Sequence, residues 1–320
     1  MHDKHLTGGS PLFERSTMAT YSGIWPVAPT PFHDDGSVDA EGMRRVLDCM
    51  IDQGVDGICI LANFSEQFLI SDAEREALTR LSLEHVAGRV PVIVTISHFA
   101  THIAVERARF VKSLGADMVM MMPPYHGALL KGTPEQTFEQ FAAVGEVGIP
   151  IMVQDAPLSG VELSVPLLVR MAREIEAVKL FKIECTGAAA KLRALIAEGG
   201  DLIEGPFDGE EVITLLADLD AGATGSMTSA MIPDQIKPVI TKHAAGDRAG
   251  AVAAYGRVLP AINHENRQCG FRAAKEAMVE GGVIGSAFCR HPIAPLHSDT
   301  RAQLMNLLRP LDPVVLRWGR

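Results

Sequence analysis

Short runs rich in Val, Ile and Met alternate with longer stretches of helical periodicity through most of the chain. The short runs predict strands over 23–28, 57–61, 90–96, 118–122, 149–154, 178–184, 202–204 and 223–227. The stretches between them predict helices over 39–53, 72–87, 101–114, 134–144, 165–175, 188–198, 210–219 and 233–244. Several helices carry start signals: Ser71 with Glu74 has the spacing of a capping box, and Pro134 and Pro233 suit a first turn. Strands apolar on both faces and separated by helices imply a parallel sheet covered by helices. Eight such units in succession fit an α/β fold of the closed (β/α)₈ type, the TIM barrel. An open doubly wound sheet is the alternative. It usually carries a glycine-rich phosphate loop, and no G-x-G-x-x-G or Walker pattern is present. Further helices over 249–262, 269–280 and 300–308 read as additional C-terminal helices on the barrel. The expected organisation is a flexible N-terminal tail over 1–20, a barrel over 21–245 and a helical extension over 246–320.

Composition narrows the class of protein. The chain has 320 residues, of which 47% are hydrophobic and 21% charged, the composition of a soluble globular protein. Its formal net charge of −10 argues against nucleic acid or an anionic membrane surface as a partner. The five cysteines, Cys49, Cys59, Cys185, Cys269 and Cys289, are odd in number and lack metal-ligand spacing. They read as core thiols of a reducing, cytoplasmic compartment. No apolar stretch approaches the roughly 20 residues that span a bilayer, and the polar start lacks a signal core.

In such a barrel the chemistry lies at the C-terminal ends of the strands. Those positions hold Thr30 among Pro29–Phe32, then Asn63, Phe64, Ser65 and Glu66 after the second strand, and Ser97 with His98 after the third. Tyr125 and His126 follow the fourth, Gln154, Asp155 and Pro157 the fifth, Lys182 and Glu184 the sixth, Asp208 the seventh, and Gly225 with Ser226 the eighth. Lys182 is the most informative of them. Strand side chains alternate, so Leu180, Lys182 and Glu184 share one face and Lys179 and Phe181 the other. A lysine inside an apolar strand is expected to have its pKa lowered by desolvation, and a neutral amine attacks ketones. The competing reading is a lysine that snorkels to solvent or pairs with Glu184 for structure. The scattered histidines form no carboxylate-rich cluster, so no metal is expected. Met120, Met121 and Met122 read as barrel core, and His98 as a residue that caps or lines the third strand's exit.

The same positions carry a family resemblance. The stretches Pro29-Thr30-Pro31-Phe32, Gly54-Val55-Asp56-Gly57, Pro123-Pro124-Tyr125, Gly222-Ala223-Thr224-Gly225-Ser226 and Arg290-His291-Pro292 stand here in order. The chain resembles the dihydrodipicolinate synthase and N-acetylneuraminate lyase superfamily, barrels that form a Schiff base with a 2-keto acid. The resemblance spans roughly 23–308. It implies an enzyme whose imine forms on Lys182, with no other cofactor, acting on a small 2-keto acid. It also implies a homo-oligomer, commonly a tetramer.

Departures from the family pattern shift the expected reaction. The usual Gly-Thr-Thr-Gly-Glu is Ala62-Asn63-Phe64-Ser65-Glu66 here, leaving Thr30, Asn63, Phe64, Ser65 and backbone N–H groups as candidates to hold the substrate. The usual Tyr-Asn pair of strand five is Gln154-Asp155, and an amide cannot ionise. A second family tyrosine is His126, and Glu184 stands where a neutral residue is usual. These features resemble the sugar-acid dehydratase branch, in which the imine leads to loss of water. The implied reaction is a hydro-lyase step on a 2-keto-3-deoxy sugar acid, foremost 2-keto-3-deoxy-L-arabonate to 2,5-dioxopentanoate, as in L-arabinose degradation. Catalytic candidates are Lys182, Glu184, Gln154, Tyr125 and His126; Thr30, Asn63, Phe64, Ser65, Asp155, Gly225 and Ser226 are candidates for binding. Two alternatives stay open: a pyruvate-dependent aldolase or synthase of the same superfamily, and a barrel that only binds a keto acid.

Overall fold

The computed structural model describes residues 21–127, 129–156 and 160–320. The expected tail over 1–20 and Pro157 lie outside the described residues. Eight parallel strands form one sheet: β1 (Gly23–Ile24), β2 (Ile58–Ile60), β3 (Val92–Thr95), β4 (Met118–Met121), β5 (Ile151–Asp155), β6 (Val178–Ile183), β7 (Phe207–Asp208) and β8 (Gly225–Ser226). Their order is β1-β8-β7-β6-β5-β4-β3-β2. Beyond β1 the chain closes the ring: Val27 bridges both Cys59 and Ser229. The Ala28 N–H donates to Cys59 O at 2.8 Å, and the Cys59 N–H to Pro26 O at 2.9 Å. The fold is a (β/α)₈ barrel.

The alternation of each strand sorts its side chains into two cores. Trp25, Val27, Cys59, Ile93, Met118, Met120, Met152, Leu180, Phe207 and Met227 fill the barrel interior. Val119, Met121, Ile151, Val153, Phe181 and Ile183 face the surrounding helices. Those helices are α1 (Ala40–Asp52), α2 (Asp72–Val86), α3 (Thr101–Ser113), α4 (Pro134–Gly145), α5 (Val165–Glu174), α6 (Ala188–Gly199), α7 (Leu215–Asp220) and α8 (Pro233–Ala244). The Ser71–Glu74 capping box forms, with Ser71 N–H donating to the Glu74 carboxylate at 2.9 Å, and Pro134 opens α4.

After α8, the helices α9 (Arg248–His264), α10 (Arg272–Glu280) and α11 (Ser298–Leu308) pack on the barrel. A buried ion pair joins Lys275 of α10 to Glu66 in the loop after β2, and Lys275 also lies 4.5 Å over the Phe32 ring. Phe32 and Glu66 belong to the loops that carry Thr30 and Ser65, so the extension braces the barrel mouth. Among the described residues no helix is long and apolar enough to cross a membrane.

Two expected elements sit elsewhere. The seventh strand is not at 202–204, where a 3₁₀ turn ends with Leu202 exposed; it is at Phe207–Asp208, past Gly205-Pro206. The Leu-Ile pair was too short a signal, because Ile203 serves instead to pack on Gly199. The helix expected over 210–219 begins only at Leu215, because Glu211 and Val212 adopt left-handed φ of 53° and 72°.

Candidate active site

Lys182 lies inside the barrel mouth on β6, 2% exposed, above Leu180 on the same face. Lys179, of opposite parity, points outward to Glu204 at 3.9 Å. Beyond the strand the ladder continues for one bond, Glu184 N–H to Asp155 O at 2.9 Å, so Glu184 keeps the inward direction. Its Oε2 lies 2.9 Å from Lys182 Nζ. Gln154 is the register partner of Lys182 on β5, and its Nε2 donates to the same Glu184 oxygen at 2.8 Å. A second acid, Glu211, brings Oε1 to 3.9 Å from Nζ. Glu211 is 7% exposed in its left-handed turn, and residues held in that sparsely populated region cluster at functional sites. Gly209 permits the close approach: a Cβ there would stand 2.7 Å from Lys182 Cγ and 3.0 Å from Glu184 Cβ.

The electrostatics differ from the sequence expectation for the amine. Burial lowers the pKa of Lys182, but the carboxylates, Glu184 foremost and then Glu211, outweigh it and hold the pKa above the ordinary lysine value. The resting amine is charged. Burial pushes the Glu211 carboxyl well above the ordinary carboxylate range; Lys182 opposes this and Glu184 adds to it. The cluster thus places an amine, a carboxyl group hydrogen-bonded to an amide, and a second buried carboxyl group within one contact shell. Gln154 Oε1 and Glu211 Oε2 are buried with no hydrogen-bond partner, and polar atoms left in that way call for a ligand or water.

A cavity of about 500 Å³ opens beside them, lined by Phe64, Glu184, Thr186, Glu211, Asn266 and Arg267 among others. Asn266 and Arg267 come from a π-turn, Glu265–Cys269, at the end of α9. Such turns recur at functional sites. The turn also buries Glu265, whose pKa rises to about 7 from burial.

Other candidates are placed elsewhere. Tyr125 and His126 form a short antiparallel ribbon with Leu130–Lys131 and line a second cavity of about 510 Å³ with Phe68, His98 and Phe99. None of its lining residues borders the first cavity. His98 Nδ1 accepts from Ala100 N–H at 3.0 Å, a local cap. Thr30 donates to Ser65 O at 2.8 Å and the Ser65 hydroxyl to Ala28 O at 2.6 Å, so both hydroxyls brace the loops. Asn63 accepts from Gln67 at 2.7 Å. Asp155 faces the helices, fully buried, in an ion pair with Lys191 at 2.6 Å, and the structure does not bring it to Lys182. Its pKa is raised by burial despite Lys191. Gly225 is held by packing, since a Cβ would stand 2.5 Å from Gly23 O, and Ser226 donates to Asp208 at 2.6 Å. Among the described residues no group of three or more His, Cys, Asp or Glu is arranged to hold a metal.

Residues 20–311 match the Dihydrodipicolinate synthetase family. The chain belongs to that family. It is 58% identical over 305 residues to the L-2-keto-3-deoxyarabonate dehydratase of Azospirillum brasilense, covering 95% of this chain and 99% of that one. It is 30% identical to the 4-hydroxy-tetrahydrodipicolinate synthase of Acidiphilium cryptum, over 86% of this chain and 93% of the relative. The crystal structure of dihydrodipicolinate synthase from Rhodopseudomonas palustris superposes with a TM-score of 0.82 at 27% identity, covering 90% of this chain and 97% of that one.

Sequence reading missed Glu211 and its turn. The signal was present in the run Asp208-Gly209-Glu210-Glu211, acids around a glycine just past a barrel strand. With the strand expected five residues early and a helix expected from Glu210, Glu211 falls in the first turn of that helix.

Proposed function

We propose that the chain is a Schiff-base dehydratase that converts L-2-keto-3-deoxyarabonate to 2,5-dioxopentanoate. The observation that carries this reading is the Lys182 cluster: a buried amine between two carboxyl groups, with an amide, Gln154, on the neighbouring strand. The 58% identical relative supports the choice of substrate.

The charged amine first gives a proton to Glu184, 2.9 Å away. The free amine attacks the C2 carbonyl, and the carbinolamine loses water to give the iminium. Glu184, reset to a carboxylate, takes a C3 proton and leaves an enamine. The enamine pushes out the C4 hydroxyl, which departs as water with the proton of Glu211. Loss of a C5 proton from the resulting unsaturated iminium gives a dienamine. Reprotonation at C3 and then C4 leaves the C5 aldehyde, and hydrolysis releases the product and Lys182. Gln154 has no proton to exchange; its amide holds Glu184, and its free oxygen is placed to accept from a substrate hydroxyl or water. Cleavage of the C3–C4 bond would need a base for the C4 hydroxyl, which an amide is not.

Incubation with L-2-keto-3-deoxyarabonate, followed by mass, tests the reading. The expected product is the substrate less one water. Pyruvate and glycolaldehyde as main products would mean an aldolase, and no turnover with binding would mean a keto-acid sensor.

We also place the protein in the cytoplasm, supported by five unpaired cysteines whose thiols, Cys49 and Cys59 among them, burial pushes up to about 12 and 11. A homotetramer is proposed as well, supported by exposed Phe68, Leu129 and Leu130 around the Tyr125–His126 ribbon.

A further inference from the structure

The cavity beside Lys182 has an uneven balance of charge at its mouth. Three acids line it, Glu184, Glu210 and Glu211, and among the described residues of that lining Arg267 is the only cation. Arg267 is exposed, and it lies within ion-pair distance of no carboxylate among the described residues. A 2-keto acid arrives as an anion and must pass the acids. Lys182 offers it no charge once the amine has given its proton to Glu184, 2.9 Å away. A cleft lined by one sign of charge focuses its field and sets the local concentration of a charged substrate. An acidic mouth with no cation would repel the molecule that the amine attacks.

Arg267 stands at the rim because α9 ends in a wide turn. The Gly270 N–H donates to Glu265 O at 2.7 Å and closes the π-turn Glu265–Cys269. Glu265 and Cys269 are buried and anchor the turn, while Arg267 between them is exposed. Asn266 ties the turn back to α9 by donating its Nδ2 to Ile262 O at 2.9 Å. Just past the turn, the Phe271 ring meets Phe64 edge to face with centroids 6.3 Å apart. Phe64 itself lines the cavity, so this contact fixes the turn against the loop after β2. Burial and Asp218 raise the Glu210 carboxyl, while Thr214 and then Arg267 draw it down, so the field of the guanidinium reaches the acids of the mouth.

We propose that Arg267 is the specificity residue that captures the substrate: its guanidinium draws the carboxylate of an arriving 2-keto acid through an otherwise acidic mouth and so favours keto acids over uncharged ketones. A planar guanidinium suits this task, because its fork of donors matches the two oxygens of a carboxylate. Arg267 acts on capture and not on the chemical step. This role rests on the reading of the cavity as a 2-keto acid site, and it needs only imine formation, not loss of water.

Pyruvate and methyl pyruvate test the role, because they carry the same ketone and only pyruvate is charged. With each held well below saturation, borohydride quenching at timed intervals and intact mass of the full chain give the rate of adduct formation. Arg267→Gln should slow the pyruvate adduct by about tenfold, the lower end of what a focused field adds to capture. It should leave the methyl pyruvate adduct within about twofold of wild type, because an uncharged ligand gains little from the field. Arg267→Lys keeps the charge and should keep most of the pyruvate rate. Wild-type capture of pyruvate should fall with added salt, as the Debye length shrinks from about 10 Å at 0.1 M to about 3 Å at 1 M, and Arg267→Gln should lose that fall. In dehydration of L-2-keto-3-deoxyarabonate, Arg267→Gln should raise KM and leave kcat in place. Equal slowing of both ketones would make Arg267 a wall of the cavity and overturn the role, as would an unchanged pyruvate rate or a loss confined to kcat. Should Arg267→Gln not fold, the salt series on wild type and Arg267→Lys decides, and a pyruvate rate indifferent to salt refutes the role. A wild-type chain that forms no pyruvate adduct would sink the Schiff-base reading itself, whereas normal pyruvate capture by Arg267→Gln would sink Arg267 alone.

Discussion

Glu184→Gln removes the charge that holds Lys182 protonated. The two groups are 2.9 Å apart and the lysine is 2% exposed. At an effective dielectric of about 20 this pair is worth about 6 kcal/mol. With the charge gone, the largest force that holds the amine protonated is lost, and burial is opposed by the more distant Glu211, 3.9 Å from Nζ. The amide still offers an acceptor, so part of the effect is offset, and the amine pKa falls. The sign follows: a lower pKa frees the amine at lower pH, so pyruvate adducts should become trappable by borohydride at lower pH than in wild type. Dehydration should fall by about 10²–10⁴-fold in kcat, because glutamine cannot take the C3 proton. Intact mass across a pH series follows the first effect, and product mass follows the second. A trapping midpoint that stays put or rises would refute the electrostatic account. Near-normal turnover would make Glu184 a structural partner.

Lys182→Ala should abolish the borohydride adduct; an adduct that persists on Lys179, which faces outward to Glu204, would overturn the assignment. Turnover should survive EDTA, and loss of activity on chelation would count against an imine-only mechanism. Reaction in heavy water should place deuterium at C3 and C4 of 2,5-dioxopentanoate, since both carbons are reprotonated; unlabelled product would exclude the enamine route. Lys275→Met should cost about 3–5 kcal/mol by leaving Glu66 buried and unpaired, and thermal melting should drop by roughly 5–10 °C. Adding Glu66→Gln should recover part of that loss, and an unchanged melting temperature in the single variant would show that the pair contributes nothing.

The period-two alternation of strands made much of this protein legible without coordinates. It set Leu180 and Lys182 on one face and Lys179 on the other, and the barrel interior follows that parity. Glu184, two residues on, inherited the inward direction because one more ladder bond extends the strand. The eight alternating units implied the closed barrel, since parallel strands apolar on both faces must be covered by helices. Local periodicity carries no information about side chains brought together by irregular backbone. Glu211 reaches Lys182 only through two left-handed residues, a conformation that its own side chain disfavours and its surroundings impose. Asp155 looked like a site residue by position, but the register that turns Gln154 inward turns it outward to Lys191. The charge state of Lys182 was also beyond the sequence. Burial alone argued for a neutral amine, and the sum of charges around it, fixed by tertiary distances, makes it an ammonium. Sequence determines what repeats along the chain; the tertiary structure decides which charges share a low-dielectric space, because Coulomb energies depend on distances in space and not along the chain.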